Sequence, residues 1–204
     1  MVIYTNTFTA VNNMGVVMLK DLFNEFIELS KELRPEYPDS LGNEKKDWSN
    51  VFQMKSDIPR LFEVIYSTVQ GTKRDINDQR LMDFIPGYRL IHIDEFVLEK
   101  KNLDNILNAQ TKIAMVVPLL ANYSSDFICY VENFDGEGCI CILLHDEREL
   151  NLMYSTPEKF LETINEFYKQ HVYFLDDDGY LDYDWEKEGI IGSSLNPDVK
   201  YWTS

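Results

Sequence analysis

Basic residues are scarce in this chain. Its 204 residues include 19 Lys and Arg against 35 Asp and Glu, which gives a formal net charge of -16 at pH 7. A concentrated negative field repels nucleic acid and attracts basic surfaces. The composition therefore argues against direct binding to a phosphate backbone and favours a basic protein as partner.

Histidine and cysteine are scarce as well, with three residues of each type. The histidines, at positions 92, 145 and 171, share no spacing that is typical of metal ligands. An odd number of cysteines argues against a disulfide framework. The cysteines lie in apolar runs, which predict buried and reduced thiols at Cys129, Cys139 and Cys141. The sequence thus predicts no catalytic residue, no cofactor and no metal ligand.

Long apolar runs are absent too. No segment approaches the roughly 18 apolar residues that a membrane-spanning helix needs. Residues 1–13 have neither the basic region nor the apolar core of a signal peptide, and their polar composition predicts a loosely held segment. We therefore expect a cytoplasmic protein without a membrane partner.

Apolar side chains make up 45% of the chain and recur with two periods. Spacings of three and four predict helices over residues 16–33, 57–71, 94–107 and 155–168. The predicted helix caps are Asp57, Asp94 and a capping box of Ser155 with Glu158. Strands are predicted over residues 89–93, 112–120, 127–131 and 139–144. Because successive strands are joined by short turns, we expect an α+β fold with an antiparallel, meandering sheet flanked by helices.

Acidic residues are concentrated between Glu132 and Glu188, where sixteen Asp and Glu face four Lys and Arg. At the end of this stretch, aromatic side chains alternate with the carboxylates. Such a mixture is typical of a binding surface for a basic partner, because carboxylates steer association and rings bury apolar area. The predicted partner-binding residues are Asp176, Asp177, Asp178, Tyr180, Asp182, Tyr183, Asp184, Trp185 and Glu186.

Two other interpretations of this segment stay open. Its rings could fold back onto the protein's own core, which is compatible with partner binding by the carboxylates. The Asp176–Gly179 stretch could also hold calcium weakly. It does not fit an EF-hand loop, because the alignment places Phe174 and Trp185 where acidic ligands are required.

The layout of the chain resembles the SUKH superfamily of Smi/Knr-like domains. The resemblance rests on a helix that contains Ile58-Pro59 and ends at Gly71, and on the segments 85–96, 123–130, 139–144 and 160–164. It is strongest over residues 48–168. We therefore expect a loose segment at 1–13, a single SUKH-like domain at 14–175, and an acidic-aromatic C-terminal extension at 176–204.

The resemblance implies an α+β domain without enzymatic activity. Many bacterial members are immunity proteins that bind a cognate toxin, often a nuclease or deaminase, whereas fungal members are scaffold regulators. Carboxylates could dock in the basic substrate channel of a nuclease as phosphates do. The leading hypothesis is therefore a cytoplasmic immunity protein that occludes the active site of a nuclease-type toxin. The alternatives are a regulatory or scaffold protein with a cellular partner, and an enzyme or calcium-binding module.

Overall fold

The structure is a computed structural model that describes residues 5–43, 48–52, 58–107, 113–133, 135–147 and 149–203. These residues form seven α-helices: α1 (Thr5–Leu33), α2 (Tyr37–Ser40), α3 (Arg60–Tyr66), α4 (Phe96–Ile106), α5 (Pro157–Lys169), α6 (Trp185–Leu195) and α7 (Lys200–Thr203). They also form eight strands: β1 (Asp83–Ile85), β2 (Tyr88–Leu90), β3 (Ile113–Ala121), β4 (Phe127–Asn133), β5 (Gly138–Leu143), β6 (Leu150–Tyr154), β7 (Tyr173–Leu175) and β8 (Leu181–Tyr183). Short 3-10 helices lie at Trp48–Val51, Gln79–Leu81 and Ile93–Glu95.

Strands β1 to β6 form one curled antiparallel sheet in which each strand pairs with the next one along the chain. Strands β7 and β8 form a separate two-stranded hairpin. The predicted α+β class, with an antiparallel meandering sheet flanked by helices, is therefore confirmed. The four predicted strands correspond to β2, β3, β4 and β5, although residue 112 lies outside the described residues.

The core lies between the sheet and the two long helices, α1 and α5. The apolar stripe predicted for α5 is fully buried: Phe160, Leu161, Ile164, Phe167 and Tyr168. Helix α1 packs against α5 and α3, with Leu19, Phe23 and Phe26 buried. The helical backbone of α1 begins at Thr5, ahead of the predicted start at residue 16, so it includes most of the segment that composition predicted to be loosely held. Residues 1–4 of that segment lie outside the described residues.

Two predicted helix caps are wrong. The side chain of Thr156, rather than the Ser155–Glu158 capping box, caps α5, and its Oγ1 accepts the N–H of Lys159 at 3.1 Å. With Thr156 as the cap, Pro157 is the first residue of the helix, where the backbone needs no N–H group. The prediction of Asp94 as the cap of α4 is wrong because the 3-10 helix Ile93–Glu95 precedes α4, so that Glu95 is the residue before it. The ring Nδ1 of His92 caps the 3-10 helix by accepting the backbone N–H of Asp94 at 3.1 Å. The third predicted cap, Asp57, lies outside the described residues.

The C-terminal residues 176–203 pack against the rest of the protein. Leu181, Val199 and Trp202 are buried within the main core. The indole Nε1 of Trp202 donates a hydrogen bond of 2.7 Å to the carbonyl of Met153 in β6. Helix α6 packs on α5, and α7 packs on β6. The acidic-aromatic extension predicted at 176–204 is therefore held in a fixed position wherever it is described.

None of the described helices combines the length and the apolar character that crossing a bilayer requires.

Candidate binding site

The turn between β7 and β8 is organised by Asp176. Its Oδ1 accepts the backbone N–H groups of Asp178 at 3.0 Å and of Tyr180 at 2.8 Å. Gly179 has a φ of +84°, a left-handed conformation that glycine adopts without strain. Asp176 is thus engaged by the backbone, whereas the neighbouring carboxylates of Asp177 and Asp178 are exposed at the tip of the hairpin.

The start of helix α6 is organised by Asp184. Its Oδ1 accepts the N–H of Lys187 at 3.1 Å, and its Oδ2 lies 3.4 Å from the Nζ of the same residue. The backbone hydrogen bond from Lys187 and the lysine's charge lower the pKa of the Asp184 carboxyl below its ordinary range. A carboxylate is well suited to a helix N-terminus, because it satisfies a free N–H group and interacts favourably with the helix dipole. Asp184 therefore stabilises the segment that presents the remaining predicted residues.

The other predicted residues lie in the β7–β8 turn, in β8 and in the first turn of α6. Their aromatic side chains stay in solvent: Tyr180 is 45% exposed, Tyr183 is 40% exposed and Trp185 is 72% exposed. The interpretation in which these rings fold back onto the protein's own core does not fit Trp185, whereas more than half of the Tyr180 and Tyr183 side chains is covered. Leu181 occupies the buried place instead. We call the following set the acidic-aromatic surface: Asp177, Asp178, Tyr180, Asp182, Tyr183, Trp185 and Glu186.

Metal-binding groups are not assembled at this surface. Among the described residues, no group of three or more His, Cys, Asp or Glu side chains is arranged to hold a metal ion. The cysteines lie elsewhere, in β4 and β5. Cys129 and Cys141 are buried as predicted, but Cys139 is only half-buried, with its Sγ 3.8 Å from that of Cys141.

A cavity of about 790 Å³ lies beside the acidic-aromatic surface, between the sheet and the C-terminal segment. The sheet contributes apolar side chains to it, including Ile128, Ile142 and Leu150. Five tyrosines line it: Tyr88, Tyr154, Tyr173, Tyr183 and Tyr201. Tyr183 belongs to both features, which makes the surface and the cavity neighbours.

The carboxylate of Glu188 in α6 lines this cavity beside the tyrosines. Its side chain is half-buried, and burial raises the pKa of Glu188 from its ordinary value of 4.5 to about 7. The side chain makes no hydrogen bond or ion pair with any other described residue. Burial of the Tyr201 ring raises its pKa to about 12, and the negative charge of Glu188 contributes to this rise.

Sequence reasoning missed this cavity. Glu188 belongs to the acidic stretch, but it was not among the predicted site residues because its own neighbours in sequence do not reveal its burial. The tyrosines that surround it come from β2, β6, β7, β8 and α7. Only the tertiary packing of the C-terminal segment brings them together.

The chain matches no protein-family model and no curated protein.

Proposed function

We propose that this protein is a non-enzymatic binding protein of the immunity type, which neutralises a nuclease-type toxin by covering its basic active site. One observation carries the proposal: ordered, exposed aromatic rings stand among exposed carboxylates on the acidic-aromatic surface. Exposed Trp and Tyr side chains are the residue types that dominate binding energy at protein interfaces. Exposure of these apolar rings to water is unfavourable, and a partner that covers them removes this cost.

The charge of this surface supports a basic partner. The hairpin tip, β8 and the first turn of α6 carry four exposed carboxylates within ten residues: Asp177, Asp178, Asp182 and Glu186. Lys187, the basic residue that follows this stretch, is paired with Asp184. A nuclease presents positive charge along its substrate channel, so the two surfaces are complementary. Covering that channel would exclude nucleic acid without any chemical step.

The experiment is co-expression of this protein with the product of each neighbouring gene, followed by co-purification and a nuclease assay. A toxin should form a one-to-one complex, lose its activity in the complex, and bind less tightly as the salt concentration rises. A nuclease that stays active in the complex would refute occlusion. A neighbouring partner without toxin activity would favour the regulatory or scaffold alternative.

The structure refines which side chains should be changed. Asp176 and Asp184 bind backbone groups, so replacing them would perturb the fold as well as the charge. The informative triple variant is Asp177→Asn, Asp178→Asn and Glu186→Gln. It should slow association by roughly tenfold or more at low salt, because exposed charges act mainly on the association rate.

A matched control removes three exposed carboxylates from α1 instead, by Asp21→Asn, Glu28→Gln and Glu32→Gln. It changes the net charge equally and should leave the association rate within about twofold, since it leaves the docking surface intact. Trp185→Ala should weaken the complex by about 2 kcal/mol or more through faster dissociation. If both triple variants slow association equally, net charge rather than this surface attracts the partner.

A further inference from the structure

The cavity beside the acidic-aromatic surface has the size and lining of a ligand site. Its volume of about 790 Å³ is in the range that encloses a small organic molecule. Apolar side chains of the sheet line one part, and the rings of tyrosines from five different elements line the rest. Polar and apolar groups thus both contribute to the lining.

Glu188 is the polar group that distinguishes this cavity. Its side chain is half-buried and makes no hydrogen bond or ion pair with another described residue. A carboxylate in such surroundings is costly unless a donor or a positive charge meets it. A bound group that supplies a hydrogen-bond donor and a positive charge would recover this desolvation cost as binding energy.

The surrounding charges select a cation. Besides Glu188, the charged residues that line the cavity are Glu147, Asp198 and Lys200. Acidic residues therefore outnumber basic ones around the cavity, and the net negative charge of the whole protein adds to the negative potential there. Tyrosine rings contribute further, because the face of an aromatic ring attracts a cation. A carboxylate surrounded by aromatic rings is a chemically suitable environment for an ammonium or guanidinium group.

We propose that this cavity binds a small organic cation, namely a primary ammonium or guanidinium group carried on an apolar body. The charged group would meet the carboxylate of Glu188 between the tyrosine rings, and the apolar body would contact the isoleucines of β4 and β5. This site shares Tyr183 with the proposed partner surface, and its binding of a cation does not require a protein partner.

The test uses the full-length protein and two probes of nearly equal shape, 2-phenylethylamine and the uncharged 2-phenylethanol. Calorimetry measures affinity, and methyl NMR shifts of Ile128 and Ile142 report where the probe binds. The ammonium probe should bind with those two methyl groups shifting, at least about tenfold more tightly than the alcohol. Equal affinities, or no saturation of the methyl shifts by about 10 mM amine, would overturn the proposal.

Two variants locate the charge that matters. Glu188→Gln keeps the side chain's shape and should weaken amine binding by roughly tenfold or more. Glu147→Gln removes the same charge from the edge of the same cavity, where the side chain is exposed, and should change affinity by less than about threefold. If the two variants lose affinity equally, the general negative field rather than Glu188 binds the amine.

The pH dependence gives an independent readout. Glu188 is ionised only above a pKa of about 7, whereas an alkyl ammonium stays protonated until about pH 10. Affinity should therefore rise about tenfold between about pH 6 and about pH 8 and should not rise in Glu188→Gln. The groups that face Glu188 or share its cavity are Tyr88, Tyr154, Tyr173, Tyr183, Tyr201, Glu147, Asp198 and Lys200. A pH profile that is identical in the wild type and the variant would assign the dependence to one of these groups and contradict the proposal.

Discussion

Replacing Glu188 with Gln should stabilise the protein, and by more at higher pH. Burial raises the pKa of Glu188 from 4.5 to about 7 in the folded protein, so the folded state holds its proton more tightly than the unfolded chain does. Stability must therefore fall as the pH rises from 4.5 towards 7, because ionisation in the folded state is unfavourable. Glutamine is neutral throughout and avoids this loss.

The magnitude follows from the two pKa values. Each pKa unit corresponds to about 1.4 kcal/mol, and part of the change is already complete at the lower pH. Between about pH 5.5 and about pH 8, the advantage of the Glu188→Gln variant over the wild type should grow by about 2 kcal/mol. Subtracting the wild type's free energy of unfolding from that of the variant at each pH removes the contributions of all other titrating groups, which the two proteins share.

The assay is urea unfolding of both proteins at the two pH values, followed by circular dichroism. Glu186→Gln is the matched control, because Glu186 lies in the same helical turn with its side chain exposed. Its difference from the wild type should be nearly the same at both pH values. If Glu188→Gln behaves like this control, the carboxylate of Glu188 is hydrated and the argument from burial fails.

Two further predictions concern packing and buried charge. Gly192→Ala should destabilise the protein by about 1–3 kcal/mol in urea unfolding, because its Cβ would lie 2.2 Å from the ring of Trp202. Gly189→Ala in the same helix has open space around its Cβ and should stabilise by about 0.5–1 kcal/mol, and equal effects of the two changes would contradict this account. Glu99→Ala should cost about 1–3 kcal/mol in the same assay, because it removes one of the two carboxylates that contact the buried guanidinium of Arg89, the one at 2.6 Å, and leaves that of Glu95 at 2.8 Å. A loss below about 1 kcal/mol would show that Arg89 does not depend on this ion pair.

The parts of the fold with strong local patterns could be predicted from the sequence. The apolar stripe of α5 and the β-branched and aromatic runs of β3, β4 and β5 carry their periods within a few residues. Strands β1, β6, β7 and β8 were missed: β1, β7 and β8 have only three residues each, and β6 has five. Helix α6 was missed because it contains Gly189, Gly192 and two serines, which are weak helix formers. Its helix is stabilised by packing against α5 and α7, which no local pattern encodes.

The candidate site likewise has one part that the sequence predicts and one part that it does not. The acidic-aromatic surface could be predicted because its members are close in sequence, so a hairpin and one helical turn suffice to bring them together. The cavity could not be predicted, since its tyrosines are separated by more than a hundred residues, from Tyr88 to Tyr201. Even within the predicted set, no pattern separated the carboxylates that bind backbone groups from those that face solvent.

The acidic segment therefore carries three kinds of carboxylate with different consequences. Asp176 and Asp184 satisfy backbone N–H groups, and their negative charge stabilises the hairpin and the start of α6. Asp177, Asp178 and Glu186 are exposed, so their mutual repulsion is weakened by water and salt. Glu188 is half-buried and can hold a proton near neutral pH, which removes its charge from the cavity. A net charge of -16 is thus compatible with a packed C-terminal segment, because most of its carboxylates in this region are either bonded, solvated or able to become neutral. Only the solvated class is free to meet a basic partner, so the charge of that class, and not the net charge, should set the association rate.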